Sequence, residues 1–161
     1  MNNILVIDDK DEIRYLINAV LATYGFTVME ASTGQMGMSM MRDQRPDLVI
    51  CDVNMPGMDG YETLNAVRDS STTAQVPFIL MTGLVSRDAF RRGMVSGADD
   101  FLVKPFTPDE LVEAVISRLA RQSDIQMAAN KRAQQMHEYA ARYSFPEFTC
   151  NLDEILNGVA A

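Results

Sequence analysis

Residues 49–60 read V-I-C-D-V-N-M-P-G-M-D-G and are the strongest indication of the fold. An apolar run ends on Asp52, and a loop of turn residues follows. A carboxylate at the end of a buried strand is costly to desolvate unless a cation or a phosphoryl group uses it. A lone aspartate in this position more often simply starts a turn. Residues elsewhere in the chain distinguish a functional carboxylate from an aspartate that only starts a turn.

Four more short apolar runs resemble this one, and segments of helical periodicity lie between them. Alternating strands and helices predict an α/β fold with a mostly parallel sheet and helices on both faces. The reason is that parallel neighbours need crossover connections, and these connections are right-handed. The predicted strands are residues 3–7, 26–30, 48–51, 78–81 and 100–103.

The last predicted helix has a strong start signal and a long continuation. Thr107 is the N-cap, Pro108 lies in the first turn and Glu110 occupies the capping-box position. A three-four spacing of apolar and small residues predicts that the helix runs to about Tyr143. Because this seam contains Gln and Ala, a solvated helix, docking on another chain and a tight dimer are all left open.

The length and composition predict one ordinary domain with residues to spare. We predict that residues 1–121 form the domain. Residues 122–161 would be a helical extension or linker without a recognisable output domain. The apolar fraction of 47% is typical of a globular protein, and no apolar run is long enough to cross a membrane.

The charge and the N-terminus predict location and partners. The N-terminal apolar run lacks a preceding basic region, so we predict no signal peptide and a cytoplasmic location. The net charge of -8 argues against direct contact with nucleic acid, whose affinity depends on clustered Lys and Arg. No membrane contact is predicted either.

Polar residues follow four of the five predicted strands. Asp8 and Asp9 follow the first, Asp52 the third, Thr82 the fourth and Lys104 the fifth. These residues should converge, because ligands of such sheets bind beyond the carboxyl ends of the strands. Three carboxylates in one cleft repel one another unless a cation neutralises them. Mg²⁺ accepts one or two carboxylates, a carbonyl and several waters, and leaves room for a phosphate.

The other two polar residues suit a phosphoryl group. Lys104 supplies a positive charge for a phosphoryl oxygen, and Thr82 supplies a hydroxyl donor. With Asp52 between them, the site is typical of phosphoryl transfer onto that aspartate. Catalysis of such a transfer consists mainly of positioning and charge neutralisation.

Five motifs in the same order resemble the receiver domain of two-component response regulators, the CheY-like fold. They are D-D at 8–9, D-V-N-M-P-G-M-D-G at 52–60, M-T-G at 81–83, G-A-D-D-F at 97–101 and K-P-F at 104–106. The resemblance covers residues 1 to about 121. It implies a doubly wound, flavodoxin-like sheet of five parallel strands in the order 2-1-3-4-5.

The resemblance also implies a phosphoacceptor and a metal site. Asp52 would accept the phosphoryl group from a histidine kinase or a phosphotransfer protein. Asp9 and Asp52 would bind Mg²⁺ directly together with the backbone carbonyl of Asn54, and Asp8 would assist through water. The protein would then act as a signalling module and not as an enzyme.

By the same resemblance, the phosphorylated state would be transmitted by a switch. Thr82 would move toward the phosphoryl oxygens, and Phe101 would follow into the vacated space. Lys104 would contact the phosphoryl group, and the Lys104–Pro105 peptide bond would be cis. The readout face would consist of the fourth helix, the fifth strand and the fifth helix. Its partner would be a downstream protein target, and a homodimer is left open.

Two other classes of function compete with this interpretation. Haloacid-dehalogenase-like phosphohydrolases also use an aspartate after a parallel strand, with Mg²⁺, but they need a second acid two residues later. Asn54 occupies that position here and cannot act as a general acid or base. A phosphorylation-independent binding module would leave the set of Asp, Thr and Lys unexplained.

Overall fold

The structure is a computed structural model and describes residues 2–83 and 87–142. Five strands alternate with five helices, as the sequence predicts. The strands are β1 Asn3–Ile7, β2 Thr27–Ala31, β3 Leu48–Asp52, β4 Phe78–Thr82 and β5 Asp100–Val103. The helices are α1 Asp11–Thr23, α2 Gly34–Gln44, α3 Gly60–Arg68, α4 Arg87–Val95 and α5 Pro108–Arg142.

All strand pairs are parallel, and the sheet order is β2-β1-β3-β4-β5. The predicted fold and strand order are therefore confirmed. β3 and β4 each extend one residue beyond the prediction, because Asp52 pairs with Met81 and Thr82 with Val103. β2 lies one residue later than predicted. Asp52 and Thr82 are thus the last residues of their strands.

Each buried strand contributes alternate residues to two cores, one on each face of the sheet. In β3, Val49 and Cys51 pack on one face and Leu48 and Ile50 on the other. The first core also contains residues of α2 and α3, and the second contains residues of α1 and α5. This three-layer arrangement explains why the strands read as nearly continuous apolar runs.

Two helices begin with a reciprocal capping box. In α3, the Asp59 carboxylate accepts a 2.7 Å bond from the Glu62 N–H, and the Glu62 carboxylate accepts one from the Asp59 N–H. In α5, the Thr107 hydroxyl accepts a hydrogen bond from the Glu110 N–H, and the Glu110 carboxylate accepts one from the Thr107 N–H. The Thr107 start is therefore confirmed. The hydrogen bonds that the Glu110 carboxylate accepts from the N–H and the hydroxyl of Thr107 lower the pKa of Glu110.

The chain divides into two compact units, one up to Leu119 and one from Ala120 onward. In the second unit, α5 continues to Arg142, and the predicted end near Tyr143 lies outside the described residues. The apolar side chains Ile125, Met136 and Tyr139 are each more than half exposed. A solvated helix, docking on another chain and a tight dimer therefore all stay open for this part of α5. The domain boundary after residue 121 stays a prediction.

Arg68 at the end of α3 joins two loops at the edge of the sheet opposite the carboxyl ends. Its guanidinium donates to the carbonyls of Ala74, Val76 and Gly97 at 2.8–3.0 Å. It also donates to the Asp99 carboxylate at 2.8 Å, and the same carboxylate oxygen accepts the Phe78 N–H. Burial lowers the pKa of Arg68, and Asp99 opposes this shift.

We expect Arg68→Met to lower the free energy of unfolding by about 2–3 kcal/mol, because several acceptors lose their donor while the aliphatic stem is kept. Urea unfolding would measure this loss. Arg42→Met replaces an exposed arginine in the last turn of α2 and should change stability by less than about 0.5 kcal/mol. An equally small effect of both substitutions would contradict a role for Arg68 in joining the loops.

Candidate functional site

The carboxyl edge of the sheet brings together polar residues that follow or end four strands. Asp8, Asp52 and Thr82 are buried, with at most 6% of each residue exposed. Burial of two carboxylates so close together is unfavourable unless they are paired and hydrogen-bonded. The sequence places them there because each lies at the carboxyl end of an apolar strand of similar length in a parallel sheet.

Lys104 supplies the pairing. Its ammonium nitrogen lies 2.7 Å from Asp8 Oδ2 and 2.6 Å from Asp52 Oδ1. The Lys104 backbone N–H donates to the Thr82 carbonyl at 2.8 Å, which fixes the lysine at the end of β5. The Lys104–Pro105 peptide bond is cis, the conformation that the resemblance implied. One cation thus bridges two carboxylates from different strands.

Backbone donors hold the remaining carboxylate oxygens. The Asn54 N–H donates to Asp52 Oδ2 at 2.9 Å, and the Lys10 N–H donates to Asp8 Oδ1 at 2.9 Å. Each of the four carboxylate oxygens therefore accepts at least one hydrogen bond, and both side chains are oriented before any ligand arrives. Such preorganisation favours a reaction at the carboxylate.

Opposing effects set the proton affinities of this pair. Burial raises the pKa of Asp52, the Asp8 charge adds to this shift, and the hydrogen bond and charge of Lys104 oppose it. Burial lowers the pKa of Lys104, but its hydrogen bonds to Asp52 and Asp8 outweigh this effect and raise the pKa above the ordinary value. Lys104 therefore remains an ammonium ion at neutral pH.

The other predicted site residues lie at different depths. Asp9 and Asn54 are exposed. Thr82 is buried at the end of β4, and Phe101 is half-buried and packs on α4. Among residues 2–83 and 87–142, no three His, Cys, Asp or Glu side chains converge as a metal-binding group.

Two buried carboxylates that share a single ammonium ion nevertheless keep an excess negative charge. Their oxygen atoms are the hard donors that Mg²⁺ prefers, and Mg²⁺ usually keeps several waters when one or two carboxylates bind it. The donor set of Asp8 and Asp52 is therefore suitable for this ion. Asp9 lies next to Asp8 in the sequence and is accessible to solvent.

Sequence reasoning missed two contributions to this site. Arg14 in α1 donates to the Asp8 carbonyl at 2.7 Å and forms ion pairs with Asp11 and Glu30. Only the Asp11–Arg14 spacing was visible as a helical i, i+3 pair. Gly60 at the start of α3 lies so close to the backbone of Asp52 that an added β-carbon would overlap it, and a glycine at this position gives no sequence signal for such a contact.

Known proteins that are similar to this chain in sequence and structure agree with this geometry. The family model of the response regulator receiver domain matches residues 4–116, so the chain belongs to the response regulator receiver family. Two structures resemble it along nearly their whole length. Chemotaxis protein CheY4 of Vibrio cholerae is 33% identical with a TM-score of 0.71, and 73% of this chain and 98% of that chain are covered. A CheY-like receiver domain protein of Methanospirillum hungatei is 26% identical with a TM-score of 0.73, at 77% and 98% coverage.

Curated relatives are longer than this chain. Transcriptional regulatory protein AfsQ1 of Streptomyces coelicolor is 38% identical over 126 residues, which are 76% of this chain and 55% of that protein. DNA-binding response regulator MtrA of Mycolicibacterium smegmatis is 36% identical over 121 residues, at 75% and 52% coverage. The chain thus spans about half the length of the curated relatives that it matches.

These findings show a two-component response regulator receiver domain. Receiver domains generally bind Mg²⁺ at the phosphorylation site and interact with histidine kinases or phosphotransfer proteins. The prediction that nucleic acid is not a partner is not supported, because the relatives' names include DNA binding and transcriptional regulation. None of the helices in the described part of the chain could span a membrane.

Proposed function

We propose that this chain accepts a phosphoryl group on Asp52 from a histidine kinase or phosphotransfer protein and signals through a protein-protein surface. The observation that carries the proposal is the position of Lys104, which bridges Asp52 and Asp8 at 2.6–2.7 Å at the carboxyl edge of the sheet. A carboxylate nucleophile beside a fixed ammonium ion matches the needs of phosphoryl transfer.

In the proposed reaction, a carboxylate oxygen of Asp52 attacks the phosphorus atom of a phosphohistidine. A P–O bond forms, the P–N bond breaks, and its electron pair remains on the imidazole nitrogen, which takes a proton from solvent. Lys104 then pairs with a phosphoryl oxygen in addition to Asp8, and the Thr82 hydroxyl donates to another. The Asn54 N–H keeps the Asp52 side chain oriented throughout the transfer.

Mg²⁺ is part of the proposal. Asp9, Asp52 and the backbone carbonyl of Asn54 would hold it, and Asp8 would assist through a water molecule. When bound, the ion supplies positive charge that offsets the carboxylates and the incoming phosphoryl group. The two buried carboxylates that share one lysine support this assignment, because their charge is only partly neutralised.

The proposed output is a change on the face formed by α4, β5 and α5. Thr82 and Phe101 would act as the switch pair, and the added charge at Asp52 would shift the equilibrium between two positions of these side chains. The target would be a downstream protein or a second copy of the chain. Half-exposed apolar side chains on α4 and α5, including Phe90, Met94 and Ile116, support a protein-binding role for this face.

The domain organisation and location follow from the same proposal. Residues 1–121 would be the receiver, and residues 122–161 would be an extension without an output domain of its own. A cytoplasmic location is proposed because a histidine kinase draws its phosphoryl group from ATP. The protein would have no enzymatic turnover, since Asn54 replaces the second acid that a phosphohydrolase of the haloacid-dehalogenase type needs.

Beryllofluoride, which imitates the phosphoryl group on an aspartate, tests the proposal. The protein would be incubated with Mg²⁺ and beryllofluoride, and its mass in solution would be measured beside an Asp52→Asn control. We expect Mg²⁺-dependent binding that the control lacks. A dimer that forms only with the analogue assigns the output to self-association, and a monomer that binds it assigns the output to a separate partner. Absence of binding would contradict the proposed function.

A further inference from the structure

The middle of α4 contains a glycine at the place where the Phe101 ring packs. A β-carbon at Gly93 would overlap Cζ of Phe101 and would lie 2.9 Å from its Cε1 and 3.1 Å from Leu80 Cδ1. The tip of the ring therefore occupies the volume that any other side chain at this position would need. Glycine in a helix costs about 0.5–1 kcal/mol relative to alanine, so its presence here calls for a structural reason.

Two aromatic contacts fix α4 around this glycine. The rings of Phe90 and Phe101 have centroids 4.9 Å apart at an interplanar angle of 38°. The guanidinium of Arg92, the residue before Gly93, lies 4.4 Å from the centre of the Tyr61 ring in α3. Both contacts are of a kind that stabilises packing by about 0.5–1.5 kcal/mol. The ring of Phe101 is thus held between Phe90 and the bare backbone of α4.

We propose that Gly93 is a positioning residue that forms a seat for the Phe101 ring on α4. Through this seat, the position of the ring depends on the position of the helix. The inference rests on the proposed function, in which Phe101 and Thr82 form the switch pair. Leu80, which lines the seat, precedes Thr82 by two residues and faces the same side of β4.

The contact with Gly93 determines the direction in which the Phe101 ring can move. A side chain at position 93 would push the ring away from β4 and toward solvent, because the space next to Leu80 would be filled. The ring could then no longer take the inner position beside Thr82 that the proposed phosphorylated state requires. A small change at α4, far from Asp52 in sequence, would therefore weaken the response to the phosphoryl group.

A double-mutant cycle in the full chain tests the seat by itself. Gly93→Ala is expected to lower Tm in the natural background, where it displaces the ring. In a Phe101→Ala background it is expected to raise Tm, because only the better helix propensity of alanine remains. Phe101→Leu, whose side chain ends before the seat, replaces Phe101→Ala if that variant does not fold. A change of the same sign and size in both backgrounds would overturn the proposal.

Affinity for the phosphoryl analogue tests the link to the switch. We expect Gly93→Ala to weaken Mg²⁺-dependent beryllofluoride binding by about fivefold or more, although position 93 contributes no group to the site. Unchanged affinity would overturn the link between the seat and the switch. If the natural chain itself does not bind the analogue, the proposed function fails, and the Tm cycle still decides whether Gly93 seats the ring.

Discussion

Asp52→Asn is expected to reduce phosphoryl incorporation to background while the fold persists. The substitution removes the nucleophilic oxygen that would form the bond to phosphorus. The amide oxygen of asparagine can still accept from the Asn54 N–H, and Lys104 keeps its contact with Asp8. Intact-mass spectrometry after incubation with Mg²⁺ and acetyl phosphate would measure the incorporation.

Stability provides the control for this prediction. Burial raises the pKa of Asp52, so the carboxylate is disfavoured by its surroundings, and it also repels Asp8. We therefore expect the Tm of Asp52→Asn in metal-free buffer to equal or exceed that of the natural chain. Asp43→Asn makes the same chemical change at an exposed position of α2 and should leave incorporation unchanged. Full incorporation into Asp52→Asn would rule out this residue as the phosphoacceptor.

Gly60→Ala is expected to lower the free energy of unfolding by about 2–3 kcal/mol. An added β-carbon would overlap the Asp52 carbonyl oxygen and would lie 2.8 Å from Val53 Cα. Both contacts are to backbone, so no rotamer change can relieve them. The start of α3 would have to move away from β3, which would also disturb the 3.0 Å bond from the Gly60 N–H to the Val53 carbonyl. Urea unfolding would measure the loss.

Gly83→Ala is the matched control, because an added β-carbon there meets no atom of the described part of the chain within 4 Å. It should change stability by less than about 0.5 kcal/mol. Because Gly60 touches the residue that would accept the phosphoryl group, its variant should also bind beryllofluoride less tightly than Gly83→Ala does. Equal stability of the two variants would mean that the β3–α3 loop adjusts to the added carbon without cost.

Local patterns were sufficient to predict most of the fold. The apolar runs identify the five strands, since a strand covered by helices on both faces contains few polar residues. The start of α5 follows from Thr107 and Glu110, whose side chains cap the helix locally. Strand ends were less accurate, because Asp52 and Thr82 join their strands only through pairing with a neighbour.

The positions of the candidate site residues were predicted from the same strand pattern, but their contacts were not. Asp8, Asp52, Thr82 and Lys104 each follow or end a strand, and parallel topology brings such residues to one edge. Which acids pair with Lys104 depends on distance and burial. Asp8 shares Lys104 with Asp52, whereas the adjacent Asp9 is exposed, and the strand pattern alone does not show which of the two acids is buried.

By itself, the sequence determined the alternation of strands and helices, the helix caps and the set of residues at the carboxyl edge. These features depend on neighbouring residues and on the periodicity of side chains. Only the tertiary structure decided that Lys104 bridges two carboxylates, that Arg68 joins two loops and that Gly93 lies under Phe101. Such contacts join different helices, strands and loops, and the shape of the packed core selects them.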